Sequence, residues 1–224
     1  MKRSKKYKDI SGKLEKGKAY SIEEALEFIV KNKAAKFDES VEVHIKLNVD
    51  PKKGEEQVRG AVVLPHGTGK AKRIAVITST KAKEAKEAGA DLIGGEDLIE
   101  KIKSGKMDFD VLIAAPEMMP KLAPAAKILG PKGLMPSPKT ETVTEKVKEA
   151  VEALKKGKVS FKNDNTGNIH QIIGKVSFGG GKLKENFDAF IKAVQKSKPA
   201  AVKGKFIGGV SVCSTMGAGI RISN

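Results

Sequence analysis

Along residues 41–49 apolar side chains alternate strictly with polar ones: Val41, Val43, Ile45, Leu47 and Val49 against Glu42, His44, Lys46 and Asn48. This period of two predicts a strand with one face buried and the other open to water. Just before it, YSIEEALEFIVKNK has a helical period, with Leu26, Ile29 and Val30 on one face and Ser21 and Glu24 spaced as a capping box. After a Pro-Lys-Lys-Gly turn, QVRGAVVLP reads as a second strand. From Arg73 onward the apolar residues gather into short continuous runs, RIAVIT, DLIG and DVLIAAP. Such runs suit strands buried on both faces. Predicted helices follow them at 81–88, 97–104 and 121–129, which makes this stretch a parallel, doubly wound unit.

The last helix of that unit is expected after a second capping box at Thr142 and Glu145. It would carry Val143, Val147, Val151 and Leu154 on one face and stop at Gly157. Alternation returns in KVSFKND and NIHQIIGKVSF, on either side of an NDNTGN turn. KLKENFDAFIKAVQKSKP is a predicted helix with Leu183, Phe187, Phe190, Ile191 and Val194 as its stripe, and KFIGGVSVCSTMGAGIRI adds two strand-like pieces. Neither flank has enough strands to close an antiparallel sheet, whereas the two joined do. The predicted fold is therefore two-domain, α/β and α+β. Residues 1–66 plus 159–224 form a discontinuous α+β domain with an antiparallel sheet, and 67–158 form an inserted, Rossmann-like three-layer α/β domain.

Charge sharpens this picture. Lys and Arg number 43 against 27 Asp and Glu, giving +16 at pH 7 and a pI near 9.7. A polyanionic partner is expected, nucleic acid ahead of a membrane surface. Segment 67–158 holds 18 basic and 13 acidic residues, net +5, and the flanks hold the remaining +11, so the main anionic contact is expected on the flanking domain. The first eighteen residues carry eight basic and two acidic side chains, Lys2, Arg3 and Lys5 among them. They read either as a solvated tail or as an arm that orders on a phosphate backbone. With no Trp and 4% aromatic residues there is little to build a stacking platform, so readout of RNA or DNA should rest on phosphate, sugar and shape. No apolar run approaches the roughly 18 residues of a membrane span, and the first twenty residues lack a signal-peptide core, so a cytoplasmic location and no membrane partner are expected.

Enzymatic signals are absent. No Gly-rich turn follows RIAVIT, and PHGTGKAKR lacks the spacing of a phosphate loop and precedes a strand, so no nucleotide cofactor is expected. Of the three histidines, His44, His66 and His170, two fall in alternating strands, where a structural or surface role is the common fate. The single cysteine, Cys213, excludes an internal disulfide and a structural zinc cluster, and no base lies beside it in sequence. No catalytic residue and no metal site are expected. Two loops remain. In GPKGLMPSPK the glycines allow close backbone approach and Lys132 and Lys139 could meet phosphates; a plain connector is the alternative. In STMGAG, at 214–219, hydroxyls, a Gly backbone and a Met side chain suit sugar contacts on structured RNA, with a simple β-turn as the alternative.

Taken together and in order, AKFDESVEVHIKL, RGAVVLPHGTGK, KILGPKGLMPSPKTETV, NDNTGNIH, KPAAVKGKFI and STMGAGIRI cover nearly the whole chain. This set resembles the bacterial form of the large-subunit ribosomal protein family called L-one. The resemblance implies the same discontinuous two-domain fold, a place on the mobile stalk beside the tRNA exit site, and help in releasing deacylated tRNA. It also implies repression of the protein's own operon, whose messenger imitates the ribosomal RNA site. Partners would be large-subunit ribosomal RNA, the operon messenger and exit-site tRNA, with a monomer off the ribosome. Carried over by residue, the RNA surface falls on Lys36, Phe37, Ser40 and Glu42, on Asp164, Thr166 and Gly167, and on Thr215, Met216 and Gly217. The basic arm with Lys2, Arg3 and Lys5 adds to it, and Lys132, Gly133 and Lys139 are a secondary contact. The family usually has proline after TMG; here Ala218 stands in its place and should leave that turn less rigid.

Overall fold

The computed structural model describes residues 4–15, 17–79 and 81–223. In chain order the elements are α1 (Lys5–Gly12), α2 (Ile22–Lys31), β1 (Ser40–Leu47), β2 (Arg59–Val63), β3 (Ile74–Ile77), α3 (Ala82–Glu87), β4 (Leu92–Gly94) and α4 (Glu96–Lys103). They continue as β5 (Val111–Ala114), α5 (Met119–Leu122), α6 (Ala126–Leu129), α7 (Val147–Lys155), β6 (Lys158–Lys162), β7 (Asn168–Lys175), α8 (Gly179–Lys196), β8 (Ile207–Ser214) and β9 (Ile220–Ile222). The chain divides into two compact units, Met1–Gly69 with Val159–Asn224, and Lys70–Lys158.

In the first unit the sheet order is β7-β1-β8-β9, with every pairing antiparallel, and β2 pairs with β6 in a small second sheet. The alternation of β1 decides the layering. Val41, Val43, Ile45 and Leu47 are buried and join Leu26 and Ile29 of α2 and Leu183, Phe187, Phe190 and Val194 of α8 in one apolar core. Ser40, Glu42, His44 and Lys46 point the other way, onto the face opposite α2 and α8. The predicted capping box is present: Ser21 Oγ accepts from the Glu24 N–H, and Glu24 Oε2 accepts from the Ser21 N–H. One polar residue interrupts the apolar stripe of α8. Asn186 is fully buried, accepts from the His66 N–H at 3.0 Å and donates to the carbonyls of Gly67 and Ile173, so each of its polar groups is satisfied. The N-terminal stretch, read as a tail or an arm, carries a helix from Lys5, capped by Ser4 Oγ accepting from the Tyr7 N–H, with no residue buried.

The second unit is a three-stranded parallel sheet in the order β4-β3-β5. One apolar cluster beside it holds Ala85 of α3 with Val147, Val151 and Leu154 of α7; another holds Leu98, Ile99 and Ile102 of α4 with Leu122 and Leu129. All four residues of β3 are buried, as the continuous apolar run requires. Two expectations need correction here. The helix predicted over 121–129 is broken into α5, a 3-10 turn at Ala123–Ala125 and α6, because Pro124 has no N–H to donate and its ring crowds the preceding turn. The second capping box does not form. Val143 bridges Ala114 in parallel, with the Ala114 N–H donating to Thr142 O, so the chain there is extended. Thr142 Oγ1 instead accepts from the Ser137 N–H at 2.9 Å, and α7 begins behind Lys146 without a side-chain cap.

Candidate nucleic-acid interface

The open face of the four-stranded sheet and the loops at its two ends carry most of the residues expected to meet RNA. At one end, the loop before β1 and the loop after β8 meet. The Thr215 N–H donates to Ser40 O at 3.0 Å, and the Ser40 N–H donates to Thr215 Oγ1 at 3.0 Å. Thr215 Oγ1 also lies 3.3 Å from Ser40 O, so its proton is committed and one lone pair stays available to an outside donor. Gly217 follows in a turn closed by its N–H on Ser214 O at 3.1 Å; a Cβ there would sit 2.4 Å from Ser214 Oγ. Phe37 and Met216 are 54% and 55% exposed beside this junction, with Lys36 exposed next to Phe37. Ala218, at the family's proline position, is buried.

Glu39 organises this end, and the motif reading passed over it. Its side chain is 0% exposed, and Oε1 accepts from the N–H groups of Ala34 and Ala35 at 2.9 and 2.6 Å. Oε2 accepts from the Met216 N–H at 3.3 Å. Burial pushes this carboxyl up, but the Ser214 hydroxyl and the N–H groups of Ala35, Met216 and Ala34 outweigh burial and hold it below its usual range. The signal was legible: Glu39 has the parity of Val41 and Val43, so it had to point into the core. Asp38, next to it, points out and accepts from the hydroxyl and N–H of Ser177, while Lys175 Nζ donates to Ser40 Oγ at 2.9 Å.

The Asp164 turn lies at the opposite end of β1. Leu47 N–H donates to Gly167 O, and Lys46 Nζ donates to Thr166 O. Asp164 accepts from the N–H groups of Asn168 and Thr166 and from the Thr166 hydroxyl, and the Asn168 N–H leads in holding its carboxyl well below the ordinary range. The carboxylate is thus engaged in shaping the turn. With Ser40 paired to Lys175 and Lys46 paired to Asn168, the predicted site divides into two groups about 20 Å apart along the strand.

Between them runs a chain of polar contacts that sequence spacing did not reveal. His44 Nε2 is 3.2 Å from Cys213 Sγ, His44 Nδ1 is 2.8 Å from His170 Nδ1, and His170 Nε2 is 3.6 Å from Asp164 Oδ2. Cys213, with no base beside it in sequence, has His44 across the strand. Burial first and Glu42 second push the thiol up, however, and burial with His170 pushes His44 down, so both favour their neutral forms. Neither shift favours a thiolate. Glu42 sits on the same face, opposite Cys213 on one side and the exposed Ile172 on the other.

Other expected residues lie elsewhere. Lys2 and Arg3 are outside the described residues; Lys5 is exposed at the start of α1. Lys132, Gly133 and Lys139 are exposed on the second unit's Gly-Pro-Lys loop, where Gly133 adopts φ of 70° and Leu134 and Met135 pack against that unit's core. Among the described residues no cluster of three or more His, Cys, Asp or Glu side chains could hold a metal ion, and no helix is long and apolar enough to cross a membrane.

Comparison with known proteins agrees with the loop signatures. Residues 29–218 match the model of the ribosomal protein L1p/L10e family. The large ribosomal subunit protein uL1 of Mycoplasma capricolum subsp. capricolum is 52% identical over 220 residues, covering 98% of this chain and 97% of that protein. The uL1 protein of Kosmotoga olearia is 51% identical over 224 residues, covering 100% of this chain and 97% of that protein. With the family model spanning most of its length and half of its residues shared with these relatives, this chain belongs to the ribosomal protein L1p/L10e family.

Proposed function

We propose that this protein is a non-enzymatic constituent of the large ribosomal subunit that binds folded ribosomal RNA through the open sheet face of its first unit. Family membership and the names of its relatives support the ribosomal assignment. The observation that carries the RNA reading is the composition of that face. Phe37, Ile172 and Met216, three of the four large apolar side chains exposed among the described residues, stand there beside a free Thr215 lone pair, Gly217 backbone, Glu42 and the lysines Lys36 and Lys46. Apolar side chains press on ribose or base, the Thr215 lone pair accepts from a ribose 2′-OH, the Gly217 backbone allows close approach, and lysines meet the phosphates and supply the salt-sensitive remainder. Glu42 accepts a 2′-OH or base amino hydrogen.

In this reading residues 1–66 plus 159–224 are the RNA-binding domain and 67–158 the inserted domain, whose Lys132, Gly133 and Lys139 make a secondary contact. The bound stalk sits beside the exit site and assists release of deacylated tRNA. The operon messenger, folded like the ribosomal site, is held by the same residues, so excess monomeric protein represses its own translation. Thr215→Ala or Met216→Ala should weaken binding to the large-subunit stalk RNA by about 1 to 3 kcal/mol. Filter binding of parent and variants measures it. Equal affinity for the stalk RNA would remove this junction from the interface.

A further inference from the structure

Resting on that reading, we infer that Glu39 is the positioning residue of the RNA interface, a buried clamp that holds the Lys36–Phe37 loop and the Thr215–Met216 loop in one geometry. The two loops are 175 or more residues apart in sequence and neither is a regular element at the point of contact. Backbone bonds between Ser40 and Thr215 set the strands in register but do not reach residues 34–37 or Met216. Among the described residues Glu39 bridges these: one oxygen takes the N–H groups of Ala34 and Ala35, and the other takes the Met216 N–H. An ionised carboxylate offers acceptors on both oxygens and no donor, whereas an amide puts an NH2 donor where the second oxygen stood. With the side chain fully buried, no water can replace a lost partner. The exposed aromatic on one loop and the exposed methionine on the other therefore owe their spacing to a group that never touches the RNA.

Glu39→Gln is the direct test because it preserves size and removes one acceptor. In the full chain it should bind stalk RNA at least tenfold more weakly, with an unchanged dependence on salt, since no phosphate contact is lost. A general loss of folding would move every signal. Here the amide resonances of Ala34, Ala35 and Met216 should shift while those of Val43 and Ile45 stay in place. Adding Met216→Ala should cost less in the Glu39→Gln background than in the parent, because the methionine is already misplaced. If Glu39→Gln does not fold, Glu39→Asp, which keeps the charge and withdraws it by one methylene, decides the matter in the same assays. Parental affinity in the folded variant, with Thr215→Ala still weakened, would overturn the role of Glu39 and leave the RNA surface intact. Parental affinity in both Glu39→Gln and Thr215→Ala would overturn the RNA surface itself.

Discussion

Asp164 is a carboxylate on a basic protein's expected RNA surface, and its partners explain why it is tolerated there. Two backbone N–H groups and a hydroxyl occupy it, so its charge is answered inside the turn. Its pKa is lowered by folding, so the ionised form stabilises the native state fully above the ordinary value of 3.8, and that contribution is lost as acid protonates the group below it. Melting curves of the parent and Asp164→Asn should therefore differ above that pH and converge well below it. A constant gap at all pH values would mean that the charge does not hold the turn. Glu39 and Asp164 also mark what could be read in the sequence. The inward parity of Glu39 was visible in the strand alternation, whereas the contact of His44 with Cys213 joins residues 169 positions apart and depends on strand order alone.

At the scale of elements, local chemistry succeeded where nothing competed for it. The Ser21 capping box forms because the bridge of Tyr20 to Ile222 ends one residue earlier and leaves the Ser21 and Glu24 N–H groups to the cap, and Ser21→Ala should lower stability by about 1 kcal/mol, or about 2 to 4 °C in melting temperature. Calorimetry is sufficient, and an unchanged melting temperature would make the cap redundant with the packing of Leu26 and Ile29. The equivalent signal at Thr142 failed because β5 offered Val143 a place in the sheet, and a pair of sheet hydrogen bonds outcompeted a cap. Pro124 broke an otherwise convincing helix for a reason visible in the sequence.

Across the whole molecule, an excess of sixteen positive charges favours weak, sequence-independent contact with polyanions, so in the proposed function specificity comes from the shaped face. Binding to stalk RNA should exceed binding to a scramble of the same composition by a thousandfold or more and keep that margin as salt rises. Lys5→Gln should reduce the salt slope by about 1 while leaving the margin unchanged, if α1 lies against the backbone. An unchanged slope would exclude α1 from the interface. Equal, steeply salt-dependent binding to both RNAs would reduce the protein to a general polycation.

The alternating strands, the buried run of β3, the stripes of α2 and α8 and the charge excess were determined by the sequence alone, because each follows from the side-chain period of one element and the cost of burying polar groups, whereas DLIG became a half-buried edge strand. The loop signatures were enough to place the chain in its family. Tertiary structure decided which strands are neighbours, and with that the meeting of the Phe37 and Met216 loops, the division of the site between the two ends of β1, and the His44 contacts across it. Strand order is set by how several apolar faces share one core, a collective balance that no single segment encodes. Glu39 shows both at once: its inward direction was written in the alternation, and its partners existed only after β8 had come to lie beside β1.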